Sequence, residues 1–233
     1  MNYAIIIPAR FESSRFPGKP LAPIKGKTLI NRVWERCIGA LSKNSIYVAT
    51  DDERISEHCQ ELGINVLMTS SSCLTGSDRL FEASQQIDAD VLINVQGDEP
   101  LIEPGDIKKI IEASEVSPEQ IFSGMCRIKT ENEFRSSSVP KVVARPDGRL
   151  LYMSRGGVPT TKNLSFEKAY KQVCIYAFPK KPLAHFAEQA EKTPLETLED
   201  IEILRFLELG YDVNMVEVSN SSIAVDYPED IQR

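Results

Sequence analysis

At 233 residues, with 42% hydrophobic and 26% charged side chains, the chain has the length and composition of one large globular domain with an ample core. No apolar run approaches the roughly 20 residues that cross a bilayer, and a net charge of −7 opposes non-specific binding to nucleic acid. Five cysteines, an odd number with no CxxC pair, fit neither a disulfide framework nor a zinc site.

The first apolar run, residues 3–8, follows no basic segment and is too short for a signal peptide, so it reads as a buried strand of a cytoplasmic protein. Further strands are predicted at 46–49, 65–68 and 91–95. Between them lie amphipathic stretches. Thr28 is placed to cap a helix whose apolar residues, from Leu29 to Leu41, share one face, and 52–62 and 77–87 have similar spacing. Strands alternating with helices imply a largely parallel, doubly wound α/β sheet covered on both faces. A helix at 104–114 and a strand at 122–128 follow, and Pro146-Asp147-Gly148 marks a hairpin inside 141–152, so an antiparallel arm is expected at about 136–180 within a single domain, 1–233. Residues 156–167 lack periodicity and read as a loop. A strand at 173–178, helices at 183–190 and 195–209, a strand at 213–218 and a short helix begun by Pro228 complete the chain.

The basic loop that leaves the first strand carries Arg10, Arg15, Lys19, Lys25 and Lys27 against Glu12 alone. Ser13, Ser14 and Gly18 could turn backbone N–H groups toward a polyphosphate there, with Arg10 and Lys19 supplying charge; the competing reading is a solvated basic loop. The segment matches neither a Walker loop nor a dinucleotide fingerprint. Asn94-Val95-Gln96-Gly97-Asp98 ends another strand on a carboxylate at the same sheet edge, where Asp98 either ligates a hard cation or caps the turn before Pro100. Asp226, in Ala224-Val225-Asp226-Tyr227-Pro228, repeats the arrangement and could equally cap the last helix. The two histidines, His58 and His185, read as structural helix residues, and Lys141 and Arg149 as solvated hairpin positions.

Together with Phe16-Pro17-Gly18-Lys19-Pro20-Leu21, Tyr47-Val48-Ala49-Thr50-Asp51-Asp52, Thr75-Gly76-Ser77-Asp78-Arg79 and Tyr152-Met153-Ser154-Arg155, these segments resemble the 3-deoxy-manno-octulosonate (Kdo) cytidylyltransferases over nearly the whole chain. The resemblance implies a Rossmann-like nucleotidyltransferase fold and a homodimeric, Mg²⁺-dependent enzyme that activates an acidic sugar of lipopolysaccharide with CTP. It implies that Asp98 and Asp226 hold magnesium, and that Arg10 and Lys19 take the CTP phosphates. Ala9, Ser13, Ser14, Thr50, Asp51, Ser77 and Arg79 are assigned to the nucleotide, Arg79 on the cytosine side. Gln96, Arg155, Gln172, Tyr176 and Glu202 are assigned to the sugar acid.

Two departures fall on the sugar side. Gln172 and Cys174 stand where the family usually has the His and Gly of a His-x-Gly-x-Tyr strand, which keeps Tyr176, and Glu202-Ile203 replaces a Glu-Gln pair. A changed hydrogen-bonding pattern in the pocket alters sugar choice, so an amino derivative of the ulosonic acid is an alternative to Kdo. A nonulosonate or phosphonate cytidylyltransferase, a transferase using a sugar 1-phosphate and another nucleotide, and a non-catalytic nucleotide-binding regulator are the competing readings.

Overall fold

The computed structural model describes residues 1–13, 15–220 and 224–232, so Ser14 lies outside the described residues. The first strand, β1 (Tyr3–Ala9), alternates its side chains between two layers. Ile5 and Ile7 enter one core cluster and Ala4 and Ile6 the other, as the period of two in a strand buried on both faces demands. A minimal hairpin, β2 (Pro23–Ile24) and β3 (Lys27–Thr28), leads into α1 (Leu29–Ile38), which lays Ile30, Val33 and Cys37 on the first face. Thr28 does stand at the N-cap, but it makes no capping bond; its hydroxyl is 2.8 Å from His58 Nε2.

The next units are β4 (Ile46–Thr50), α2 (Glu53–Glu61), β5 (Asn65–Met68), α3 (Gly76–Ser84) and β6 (Val91–Val95). Asp52 caps α2 by accepting from Arg54 N–H at 3.0 Å, and Thr75 and Asp78 form a reciprocal capping box at the start of α3. These strands are mutually parallel: β1 pairs with β4 on one side and with β6 on the other, and β4 pairs with β5. The chain therefore winds outward from β1 to β5 and returns to the opposite side of β1. That reversal opens a crevice at the C-terminal ends of β1 and β6, where ligands of open α/β sheets bind.

The second half adds α4 (Pro104–Val116), β7 (Ile121–Arg127), α5 (Glu131–Arg135), β8 (Lys141–Ala144), β9 (Leu150–Ser154), β10 (Tyr170–Pro179), α6 (Lys180–Ala187), α7 (Pro194–Glu199), α8 (Ile203–Glu208) and β11 (Val213–Glu217). The expected hairpin is present as antiparallel β8 and β9. β10 is more than part of an arm: it runs antiparallel between β6 and β7 in the middle of the sheet, whose order is β11-β7-β10-β6-β1-β4-β5. A register shift between Val173 and Tyr176 bends it beside the crevice.

The helix expected at 195–209 is two helices. Asp200 between them adopts φ 50 and ψ 50, which ends α7. The break is held by a cation: Arg155 Nε donates to Glu199 O at 2.5 Å and Nη2 to Asp200 O at 2.9 Å. Lys141 departs further from its expected place, since it is fully enclosed rather than solvated. Arg149 keeps a surface position, paired with Asp212 at 2.6 Å. All five cysteines are free.

Candidate active site

The crevice holds two adjoining cavities. The smaller, about 350 Å³, is lined by Ala9, Arg10, Ser13 and Lys19 from the loop after β1 and by Gln96, Asp98 and Glu202. The larger, about 750 Å³, is lined by Arg155, Gln172, Tyr176, Glu202 and Asp226 among others. Arg15, Gln96, Asp98 and Glu202 face both.

Gly97 makes this approach possible, because a Cβ there would stand 2.7 Å from the carbonyl oxygen of Pro8. Only a residue without a side chain lets the turn after β6 lie against the end of β1. That turn meets the C-terminal segment directly: Val225 N–H donates to Asp98 O at 2.9 Å, which brings Asp226 to the same wall. Among the described residues neither acid side chain makes a helix-capping bond. Asp98 Oδ2 accepts from Lys19 Nζ at 2.8 Å, Lys19 also donates to Val225 O at 2.9 Å, and Asp226 pairs with Arg15 at 2.9 Å. The final turn is capped from its far end instead, by Asp230 accepting from the N–H groups of Asp226 and Tyr227.

An ammonium shared by a carboxylate and a carbonyl marks a place where oxygen donors converge on a cation. Such a donor set fits magnesium, which prefers hard oxygen ligands and takes one or two carboxylates, with water and substrate phosphates completing its shell. Among the described residues no group of three or more His, Cys, Asp or Glu is gathered as a closed metal cage, in keeping with so open a site.

On the nucleotide side, Thr50, Asp51, Ser77 and Arg79 line neither of these cavities. Arg79 is fully buried beneath the crevice, with Nη2 3.2 Å from Asp51 and Nη1 donating to Thr69 Oγ1 at 2.5 Å. Thr50 Oγ1 accepts from Asp52 N–H, and Ser77 gives both its N–H and its hydroxyl to Glu202. The Glu202 carboxylate also accepts from Gly76 N–H, so it occupies the N-terminus of α3 and favours the positive end of the helix dipole.

On the other side, Gln172 Nε2 donates to the Tyr176 hydroxyl at 3.0 Å. Burial, followed by the neighbouring Cys174 and Glu202, pushes the Tyr176 phenol well above its ordinary pKa, so it stays protonated as a donor. Ile203 packs into the core and lines neither cavity, whereas Gln172 and Cys174, which replace the family's His and Gly, both line the larger one.

Several lining groups escaped the sequence reading. Lys171 and Glu133 form an ion pair in the larger cavity. Burial raises the Glu133 pKa, but the Lys171 hydrogen bond and the Lys129 N–H outweigh it and hold the carboxyl below its ordinary value. Asp200 also lines this cavity, through the helix break. The Thr130-to-Glu133 capping spacing was the one local signal, and it fixed a helix start rather than a site.

A mainly parallel α/β sheet with a basic loop and acids at its switch point is the arrangement of a nucleotidyltransferase, the class to which the family match assigns the chain. The family described as "Cytidylyltransferase" matches residues 4–217, and the chain belongs to it. A 3-deoxy-manno-octulosonate cytidylyltransferase of Geobacter metallireducens is 43% identical over 100% of this chain and 96% of its own length. An 8-amino-3,8-dideoxy-manno-octulosonate cytidylyltransferase of Shewanella amazonensis is 40% identical over 100% and 97%. The solved structure of CMP:2-keto-3-deoxy-manno-octonic acid synthetase complexed with CTP superposes with a TM-score of 0.92 at 34% identity, covering 100% of this chain and 96% of that one.

Proposed function

We propose that this chain transfers CMP from CTP to the anomeric hydroxyl of a 3-deoxy-octulosonic acid, releasing pyrophosphate, and so supplies an activated sugar for lipopolysaccharide. The observation that carries the reading is the junction at Asp98, where a cavity lined by Arg10, Arg15 and Lys19 opens into a larger one lined by Arg155, Gln172 and Tyr176. CTP is assigned to the first and the sugar acid to the second. The bond that forms joins the sugar oxygen to the α-phosphorus; the one that breaks releases pyrophosphate.

Arg10 and Lys19 are placed to neutralise charge on the phosphates, and removing one such donor typically costs about 3–4 kcal/mol of transition-state stabilisation. Lys19 must leave Asp98 to do so. Magnesium, held by Asp98 and Asp226, would supply further neutralisation and acidify the attacking hydroxyl. Gln96, at the boundary of the cavities, and Arg155, Gln172 and Tyr176, beyond it, are assigned to orienting the sugar; positioning of this kind is the main protein contribution to such transfers.

Gln172 supports a second reading of the sugar. One of its two amide N–H groups is engaged by Tyr176, which leaves the other N–H and the Oε1 acceptor to offer, and an acceptor suits a hydroxyl or an ammonium alike. The 8-amino sugar acid is therefore carried as the alternative substrate. A homodimer in the cytoplasm completes the proposal. The dimer rests on the family likeness, and free thiols support the reducing compartment.

The test is pyrophosphate release by the purified chain with CTP, UTP or GTP against Kdo, 8-amino-Kdo, a nonulosonate and a sugar 1-phosphate, with and without Mg²⁺. Release is expected with CTP, Mg²⁺ and an octulosonic acid. Turnover confined to UTP, GTP or the sugar 1-phosphate would overturn the reading. Light scattering checks the dimer.

A further inference from the structure

Lys141 opens β8 with its side chain fully enclosed, yet among the described residues its ammonium forms no ion pair with a carboxylate. Its three donors go to three carbonyl oxygens: Ser136 at 2.8 Å, Val139 at 2.7 Å and Arg155 at 2.5 Å. Burying a charge is costly unless its hydrogen-bonding capacity is filled, and an apolar side chain of similar volume often serves folding as well or better. What an apolar side chain cannot do is hold three carbonyls from two separate segments at one point. An ammonium, with three donors and no acceptor, does that.

The two segments joined in this way are parts of the larger cavity. Ser137, Ser138, Val139 and Pro140 form its rim, and Arg155 lines its wall. Arg155 continues the linkage, donating through Nη1 to Ser137 O at 2.9 Å and through Nε and Nη2 to the carbonyls at the α7 break. Glu199 completes it, accepting from Arg155 N–H at 2.8 Å and from Ser154 Oγ at 2.7 Å.

None of these contacts reaches the smaller cavity, whose lining comes from the β1 loop, the β6 turn, Gly76 and Glu202. Burial and the nearby Arg155 charge lower the Lys141 pKa, against an opposing pull from Glu199.

We propose that Lys141 is a positioning residue for the sugar: its buried ammonium fixes the 136–139 rim and Arg155 in the geometry that receives the acidic sugar, and it acts on that substrate without touching it. The proposal rests on the assignment of the larger cavity to the sugar acid. Local displacement of positioning groups by about 1 Å can cost 100-fold, so the effect expected is roughly 10- to 100-fold and confined to one substrate.

The test compares wild type with Lys141→Met, which keeps the length and loses the donors, and Lys141→Arg, which keeps the charge. For K141M the KM for the sugar acid rises at least about 10-fold, while the Kd for CTP measured by calorimetry stays within about twofold. K141R recovers part of that loss. An unchanged sugar KM in K141M, or a CTP affinity that falls in parallel, overturns the proposal.

A measurement on the wild-type protein guards against a variant that fails to fold. The ¹⁵N resonance of the Lys141 ammonium shifts when Kdo is added to the CMP-bound protein and stays in place when CMP alone is added. No response to saturating Kdo, in a preparation that turns Kdo over, counts equally against it. If the wild-type chain turns over no octulosonic acid at all, the sugar assignment itself has failed, and that result is distinguishable from the others.

Discussion

Replacing Asp98 by Asn should do two opposite things, and the contact with Lys19 sets both. In the free protein the Lys19 ammonium is held by Asp98 Oδ2 at 2.8 Å, with the two side chains only 16% and 26% exposed. Hydrogen bonds involving a charged group contribute about 1.5–3 kcal/mol, and CTP must displace this one to recruit Lys19 to its phosphates. D98N keeps the shape of the side chain but weakens that hold and removes a negative charge from the path of the polyphosphate. With 1.4 kcal/mol corresponding to tenfold, CTP in the absence of metal should bind the variant roughly 10-fold more tightly than it binds wild type. Turnover should fall by at least about 100-fold, because the carboxylate assigned to the metal is gone. Calorimetry with CTP in EDTA, repeated with Mg²⁺, reads the first effect, and pyrophosphate release reads the second. Metal-free CTP binding no tighter than wild type would refute the displacement argument. Full turnover at saturating Mg²⁺ would refute the metal assignment.

The other predictions concern the sugar side and the scaffold. Gln172→His introduces a group that can carry positive charge beside Tyr176, so the ratio of kcat/KM for the 8-amino sugar to that for Kdo should fall about 10-fold, measured by pyrophosphate release with each acid; an unchanged ratio removes Gln172 from specificity. Burial raises the Glu199 pKa, but the Arg155 N–H and the Ser154 and Tyr152 hydroxyls outweigh it, leaving the carboxyl below its ordinary value. A depressed carboxyl contributes stability that is complete above the unfolded pKa of about 4.3 and is lost as pH falls through the lower folded value. The stability advantage of wild type over Glu199→Gln in urea titrations should therefore be flat at pH 6–8 and shrink in acid. Arg205 and Glu196 are both fully buried, with Nε and Oε2 2.5 Å apart. Glu196→Ala takes the two-point partner from that guanidinium, leaving it Asp78 at 3.3 Å, and should cost about 3 kcal/mol in urea unfolding, whereas replacing both Arg205 and Glu196 with apolar residues should recover most of it.

The local pattern determined a good deal of this protein. Short apolar runs gave β1, β4 and β6, helical spacing gave α1, α2 and α3, and Pro146-Asp147-Gly148 gave the β8–β9 turn, because each depends on neighbours a few residues away. The family likeness was likewise carried by short motifs, and the basic loop stood out against an acidic chain. Burial and partnership were decided elsewhere. Lys141 reads as a solvated hairpin lysine until three carbonyls close around it, and Arg79, assigned to the cytosine side, lines neither cavity because Asp51 and Thr69 enclose it. The helix expected at 195–209 has no breaker in its sequence. It is interrupted at Asp200, whose carbonyl, with that of Glu199, is taken by Arg155 some 45 residues away. Lys19 meets Asp98 across 79 residues and Val225 across 206. Amino-acid type sets what a group is able to bind, and periodicity sets which way it points. Only the folded sheet, by bringing distant segments to one edge, determines which charge faces the crevice and which is held inside by its neighbours.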